Sequence, residues 1–116
     1  INHTGELADR FVEENSYCYD LGCSLGASTL AIRERIEKRN ATIYAVDNSQ
    51  AMLDKLATIL DGQPTTTTTE LIKSDICDIQ ITNASLVILN FYNETSFHPE
   101  QNHLHWEGDY QRNLNL

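Results

Sequence analysis

The sequence predicts an open α/β fold, a parallel sheet flanked by helices, on three observations. Stretches with helical apolar spacing alternate with short apolar runs of strand type. The run Ala84-Ser85-Leu86-Val87-Ile88-Leu89-Asn90-Phe91 is nearly all apolar, as befits a strand buried on both faces of a parallel sheet. Asp20, Asp47, Asp75 and Asn90 fall at or near the ends of such runs. In open α/β sheets that is where ligands bind, outside the carboxyl ends of the strands.

Each element follows from its local chemistry. Glu6 to Glu14 places Leu7 and Phe11 four apart beside Ala8, the end of an amphipathic helix that Asn15-Ser16 closes. Tyr17 to Leu21 is a short strand, followed at once by a glycine-containing loop. From Ala27 to Arg39, Thr29, Ile32 and Ile36 continue the spacing begun at Leu25, and Arg33, Arg35, Lys38 and Arg39 crowd the end where the helix dipole favours cations. Thr42 to Val46 is β-branched and apolar, and Asp47-Asn48-Ser49 can cap a helix from Gln50 to Leu60 with Met52, Leu53, Leu56 and Leu60 on its buried face. The threonine run from Thr65 to Thr69 merges into a strand through Ser74. The expected organisation is a nucleotide-type α/β unit over residues 1–91 and a divergent polar tail, readable as a degenerate helix, over residues 92–116. The sheet is expected to be incomplete at both ends, leaving an apolar edge at Leu86 to Leu89 exposed unless a partner or a further segment covers it.

Composition excludes several classes. Seventeen acidic against eight basic residues give a net charge of −9, with no basic stripe to neutralise a phosphate backbone, so direct nucleic-acid binding is not expected. No apolar run approaches the roughly 18 residues that span a bilayer, and no basic flank with an apolar signal core opens the chain. Cys18, Cys23 and Cys77 are odd in number and lie in or beside strands, which fits reduced thiols and a cytoplasmic setting. The sequons at Asn2, Asn40, Asn83 and Asn93 read as chance in a chain rich in Asn and Thr. His98, His103 and His105 lack the matched third and fourth ligands of a zinc site, so no metal is expected.

The loop "YDLGCSLG" narrows the ligand. A dinucleotide fingerprint would need G-x-G-x-x-G, and from Gly22 the chain supplies Gly22, Ser24 and Ala27. The spacing Asp20-x-Gly22-x-Ser24-x-Gly26 instead resembles the first motif of class I S-adenosylmethionine-dependent methyltransferases, with serine at the middle position. Gly22 and Gly26 allow close backbone approach, and Ser24 offers a small hydroxyl to the amino-acid end of such a ligand. Asp47 lies about 20 residues past the loop, where a carboxylate grips a ribose diol, and Asp75 falls where a carboxylate can accept from the adenine amine.

The segments "YDLGCSLGASTLAIR", "YAVDNSQAM", "SDICDI" and "NASLVILNF" resemble the carboxy-S-adenosyl-L-methionine synthases more specifically, over about Leu7 to Phe91. That resemblance implies a Rossmann-like class I methyltransferase fold and a transferase that turns S-adenosylmethionine and prephenate into carboxy-S-adenosylmethionine, phenylpyruvate and water, in the wobble-uridine modification route of tRNA. It implies S-adenosylmethionine or its carboxylated form as the bound nucleoside, a small anionic substrate and a homodimer. By position, Gly22 contacts the methionine part, Asp47 and Asn48 hold the ribose and its surroundings, Asp75 and Ile76 flank the adenine, and Asn90 approaches the methionine end. The family's ligand-reaching tyrosine would precede Ile1 and its carboxylate-pairing arginine would follow Leu116, so the chain reads as an N-terminal and central fragment, with no residue assigned to catalysis. A class I methyltransferase acting on a small molecule and a truncated, non-catalytic remnant are the alternative readings.

Overall fold

In the computed structural model, residues 4–23 and 26–89 are described in full; Asn90 and residues 94–98 and 103–105 are described by their backbone alone. The elements are α1 Thr4–Phe11, β1 Tyr17–Leu21, α2 Ala27–Arg35, β2 Thr42–Asp47, α3 Gln50–Asp61, β3 Thr68–Lys73, a 3₁₀ turn Ile76–Asp78, β4 Ala84–Asn90, β5 Glu94–His98 and β6 His103–His105. The strands form one sheet in the order β3-β2-β1-β4-β5-β6. The first four are mutually parallel, and β5 and β6 add in antiparallel fashion.

Strand alternation sorts the core into two faces. Cys18 and Asp20 of β1 lie in register with Ile43 and Ala45 of β2 and with Leu86 and Ile88 of β4, and this face receives the helices. Ala8 of α1 and Ile32 of α2 pack on Cys18, Ile43, Leu86 and Ile88, while Leu53 and Leu56 of α3 pack on Ala45 and Cys23. On the opposite face, Tyr19, Leu21, Val46, Val87 and Leu89 are buried, and Ile76, Ile79 and Ile81 fold across them. Tyr44 stacks on Tyr19 at 5.1 Å between ring centroids and meets Tyr17 edge-on at 5.0 Å.

Four sequence expectations require correction. Helix α1 occupies Thr4–Phe11 rather than Glu6 to Glu14. Helix α2 stops at Arg35 rather than Arg39: Ile36 leaves the helical region at φ −116°, ψ 15°. Arg39 turns back to α1, donating to the Ala8 and Val12 carbonyls at 2.8 and 3.1 Å and pairing with Asp9 at 2.8 Å. The apolar run at Leu86 to Leu89 is no sheet edge, since β4 lies between β1 and β5. Finally, the described parts of the expected polar tail are strands rather than a helix. An antiparallel ladder is held by main-chain groups and needs no continuous apolar run, so Glu94–His98 can pair with β4 despite its polarity.

Candidate functional site

The chain runs outward from β1 to β2 and β3, then crosses back to place β4 on the other side of β1. This reversal makes a topological switch point at the carboxyl ends of β1 and β4, the position where an open α/β sheet leaves a crevice. Register aligns the rim: Leu21 pairs with Val46 and with Leu89, and Asp47 pairs with Lys73. Gly22, Asp47, Asn90 and, two residues beyond Lys73, Asp75 therefore all follow or close strands at one end of the sheet.

The loop after β1 is shaped by two left-handed glycines, Gly22 at φ 73° and Gly26 at φ 86°, a region costly for residues with a Cβ. The N–H groups of Gly22 and Cys23 both donate to the Val46 carbonyl, at 2.8 and 3.0 Å. They lash the loop to the end of β2 beside Asp47 and leave Gly22 to meet a ligand by close approach rather than by its amide. Gly26 donates to the Cys23 carbonyl at 2.8 Å, and its own carbonyl accepts from Leu30 at 2.8 Å to start α2. A Cβ on Gly26 would stand 2.2 Å from Leu56 Cδ1, so the loop also closes directly onto α3.

Asp47 ends β2 half-buried, and its Oδ1 accepts from the Ser49 amide at 2.9 Å. Ser49 in turn caps α3 by accepting from the Met52 amide at 3.3 Å. The carboxylate is thereby held at the strand end beside the exposed Asn48, where a carboxylate can accept from two vicinal hydroxyls. Asp47 is also tied to the neighbouring rim, because its carbonyl accepts from the Ser74 amide at 3.0 Å. Asp75 is exposed and caps the 3₁₀ turn, its Oδ1 accepting from the Cys77 amide at 2.9 Å, while Ile76 packs with the face that carries Leu21 and Val46. Ser24 lies outside the described residues, and so does the side chain of Asn90.

Two residues outside the expected ligand contacts, Asp20 at the head of the motif and Thr29, support the site from below. Asp20 is fully buried and accepts a 2.6 Å hydrogen bond from Thr29 Oγ1, itself fully buried in the first turns of α2. The pair bridges the two sides of the glycine loop. Its sequence signal was the acidic head of the motif followed nine positions later by a hydroxyl on the helix's core-facing side. Burial, with Asp20 and Asp47 nearby, pushes the Cys23 thiol up to about 12, and burial with Asp20 pushes Cys18 up further. Both thiols are therefore held neutral, which suits packing and not nucleophilic chemistry. Among the described residues no cluster of His, Cys, Asp or Glu could hold a metal ion, and no helix is long and apolar enough to cross a membrane.

Comparison with known proteins places this geometry. Residues 18–106 match the family model of a methyltransferase domain. Carboxy-S-adenosyl-L-methionine synthases of Shewanella sp. (strain ANA-3) and Shewanella oneidensis are each 54% identical over 91 residues, 78% of this chain and 37% of the relative. The chain thus spans little more than a third of the length of those curated relatives. Among solved structures, a protein assigned as an S-adenosyl-L-methionine-dependent methyltransferase from Methanococcus maripaludis superposes with a TM-score of 0.63 at 20% identity, over 77% of this chain and 40% of that one. An rRNA methylase from Streptococcus thermophilus superposes with a TM-score of 0.50 at 19% identity, over 61% of this chain and 37% of that one. At these identities the likeness is one of fold.

Proposed function

Because the chain belongs to the methyltransferase-domain family and is a sequence relative of the carboxy-S-adenosyl-L-methionine synthases, we propose that it forms the nucleoside-binding part of an enzyme making carboxy-S-adenosylmethionine from S-adenosylmethionine and prephenate. The observation that carries the reading is the joint placement of the Gly22–Gly26 loop and Asp47 at the switch point, with the loop's amides bonded to the residue that precedes Asp47.

In this reading Asp47 accepts from the ribose hydroxyls and Asn48 borders them. Gly22 lets the methionine part approach the backbone, helped by the Ser24 hydroxyl. Ile76 packs on the adenine, and the Asp75 carboxylate, already held by the Cys77 amide, keeps acceptor capacity for the exocyclic amine. Asn90, at the end of β4, meets the methionine end. The chemistry exchanges a proton of the sulfonium methyl group for the carboxyl group that prephenate loses, and the hydroxyl expelled from prephenate leaves as water. In this reading the reaction supplies tRNA wobble-uridine modification in the cytoplasm and from a homodimer, and the net charge of −9 agrees with a small-molecule reaction without direct RNA contact.

Native mass spectrometry with S-adenosylmethionine, then with prephenate added to the full-length protein, tests this. Retained nucleoside and a prephenate-dependent product heavier by one carbon dioxide are expected. Transfer of a labelled methyl group would favour the second reading, a small-molecule methyltransferase, which the match to a methyltransferase domain supports. Absence of any nucleoside adduct would favour a non-catalytic remnant.

A further inference from the structure

Among the described residues two charged side chains are buried, Asp20 and Arg33. Asp20 is met by Thr29, whereas Arg33 is not comparably answered. Its Nη2 donates to the Gln63 carbonyl at 2.7 Å, but Nε and Nη1 have no hydrogen-bond partner, and among the described residues no carboxylate pairs with the guanidinium. The Oγ1 of Thr69, on the same helix-covered face of the sheet, is likewise buried without a partner. Buried polar groups are nearly always satisfied, and an unmatched buried cation is the costliest exception.

Both residues line one cavity of about 250 Å³ between α2, α3 and the start of β3, completed by Ala57, Leu60, Asp61, Thr67 and Leu71. Helices and strands run in opposite directions in such a layer, so the late turns of α2 and α3 and the first residues of β3 meet at the amino ends of the strands. The cavity is therefore at the opposite end of the sheet from Gly22 and Asp47. Its position is fixed from both sides, since Thr67 Oγ1 donates to the Arg33 carbonyl at 3.2 Å while Gln63 holds Nη2.

We propose that this cavity is a binding site for a small oxyanion, a carboxylate or phosphate group, taken by Arg33 with Thr69 as second donor. The Nε–H and both N–H bonds of Nη1 are the donors left over, and a guanidinium suits either oxyanion. These nitrogens and Thr69 Oγ1 are shielded from bulk water, so anion binding requires the guanidinium to turn on its Gln63 anchor toward the cavity. Asp61 at the rim is exposed and sets a competing outcome, an internal ion pair with Arg33.

The test is a titration of the full chain with inorganic phosphate and, separately, acetate at constant ionic strength, following by NMR the Arg33 Nε–H resonance in the parent and the Gln63 backbone amide in the parent and every variant. A saturable shift is expected, tighter for whichever oxyanion the site prefers. Arg33→Met should weaken binding at least about tenfold, Thr69→Val less, and Arg33→Lys should retain part of it. If Arg33→Met does not fold, Thr69→Val and Arg33→Lys carry the comparison. The proposal is overturned if neither anion gives a saturable shift, or if binding persists unchanged in the variants. It is also overturned if Asp61→Asn alone moves the Arg33 resonance in anion-free buffer, which would reveal the internal pair.

Discussion

Thr29 Oγ1 lies 2.6 Å from Asp20 Oδ2, and both residues are fully buried. The bond spans the glycine loop, joining the strand that enters it to the helix that leaves it. Thr29→Val keeps the shape and removes the donor, leaving a buried carboxylate short of one bond. It should cost about 1–3 kcal/mol in urea unfolding, and Thr29→Ser should recover most of that. An unchanged unfolding midpoint in Thr29→Val would deny the pair a structural role.

Gly26→Ala should cost about 2–4 kcal/mol, combining a left-handed backbone with overpacking against Leu56. The two parts are separable. Combined with Leu56→Ala, the substitution should cost less than the sum of the single changes, because only the steric part is relieved. Strict additivity in a double-mutant cycle would show that the backbone alone is responsible.

Asp47→Asn keeps an acceptor for the Ser49 amide and removes the charge, so the turn into α3 should survive. Calorimetric affinity for S-adenosylmethionine should fall by about 1–3 kcal/mol through lost charge-assisted bonds, with little change in thermal stability. Equal affinity in variant and parent would leave Asp47 as a capping residue only.

The thiols give a pH signature. Cys23 is raised from the ordinary value of 9.0 to about 12, and Cys18 is raised further. A group raised in the folded state contributes stability that is intact below its unfolded pKa. That contribution disappears as pH climbs through the folded value. Stability should therefore decline from about pH 9 upward, and Cys18→Ala with Cys23→Ala should flatten the decline. In native protein at pH 8, iodoacetamide should label the exposed Cys77 first, and prior labelling of Cys18 or Cys23 would contradict the packing.

Much of this was legible in the sequence because parallel strands buried on two faces announce themselves. Tyr17 to Leu21, Thr42 to Val46 and Ala84 to Asn90 are apolar for that reason, and helix α3 keeps Leu53 and Leu56 at the spacing that buries them. Strands β5 and β6 were not legible, since an antiparallel addition through main-chain bonds leaves little mark on residue choice. The end of α2 was misread because Lys38 and Arg39 suit a helix C-terminus, while Arg39 serves the carbonyls of α1 instead. At the candidate site the strand-end acids were visible by position. The Asp20–Thr29 bond was hidden because it depends on how a helix turn faces a strand, and that is a property of packing.

The crossover that sets β4 beside β1 also governs synthesis. Leu21 finds its second strand neighbour at Leu89, 68 residues later in the chain. At roughly 5–20 residues per second of translation, β1 waits about 3–14 seconds with one apolar flank unpaired. During that interval the nascent chain presents Cys18 to Leu21 as an open strand template, a natural client for holding chaperones and a point at which slowed translation would favour aggregation.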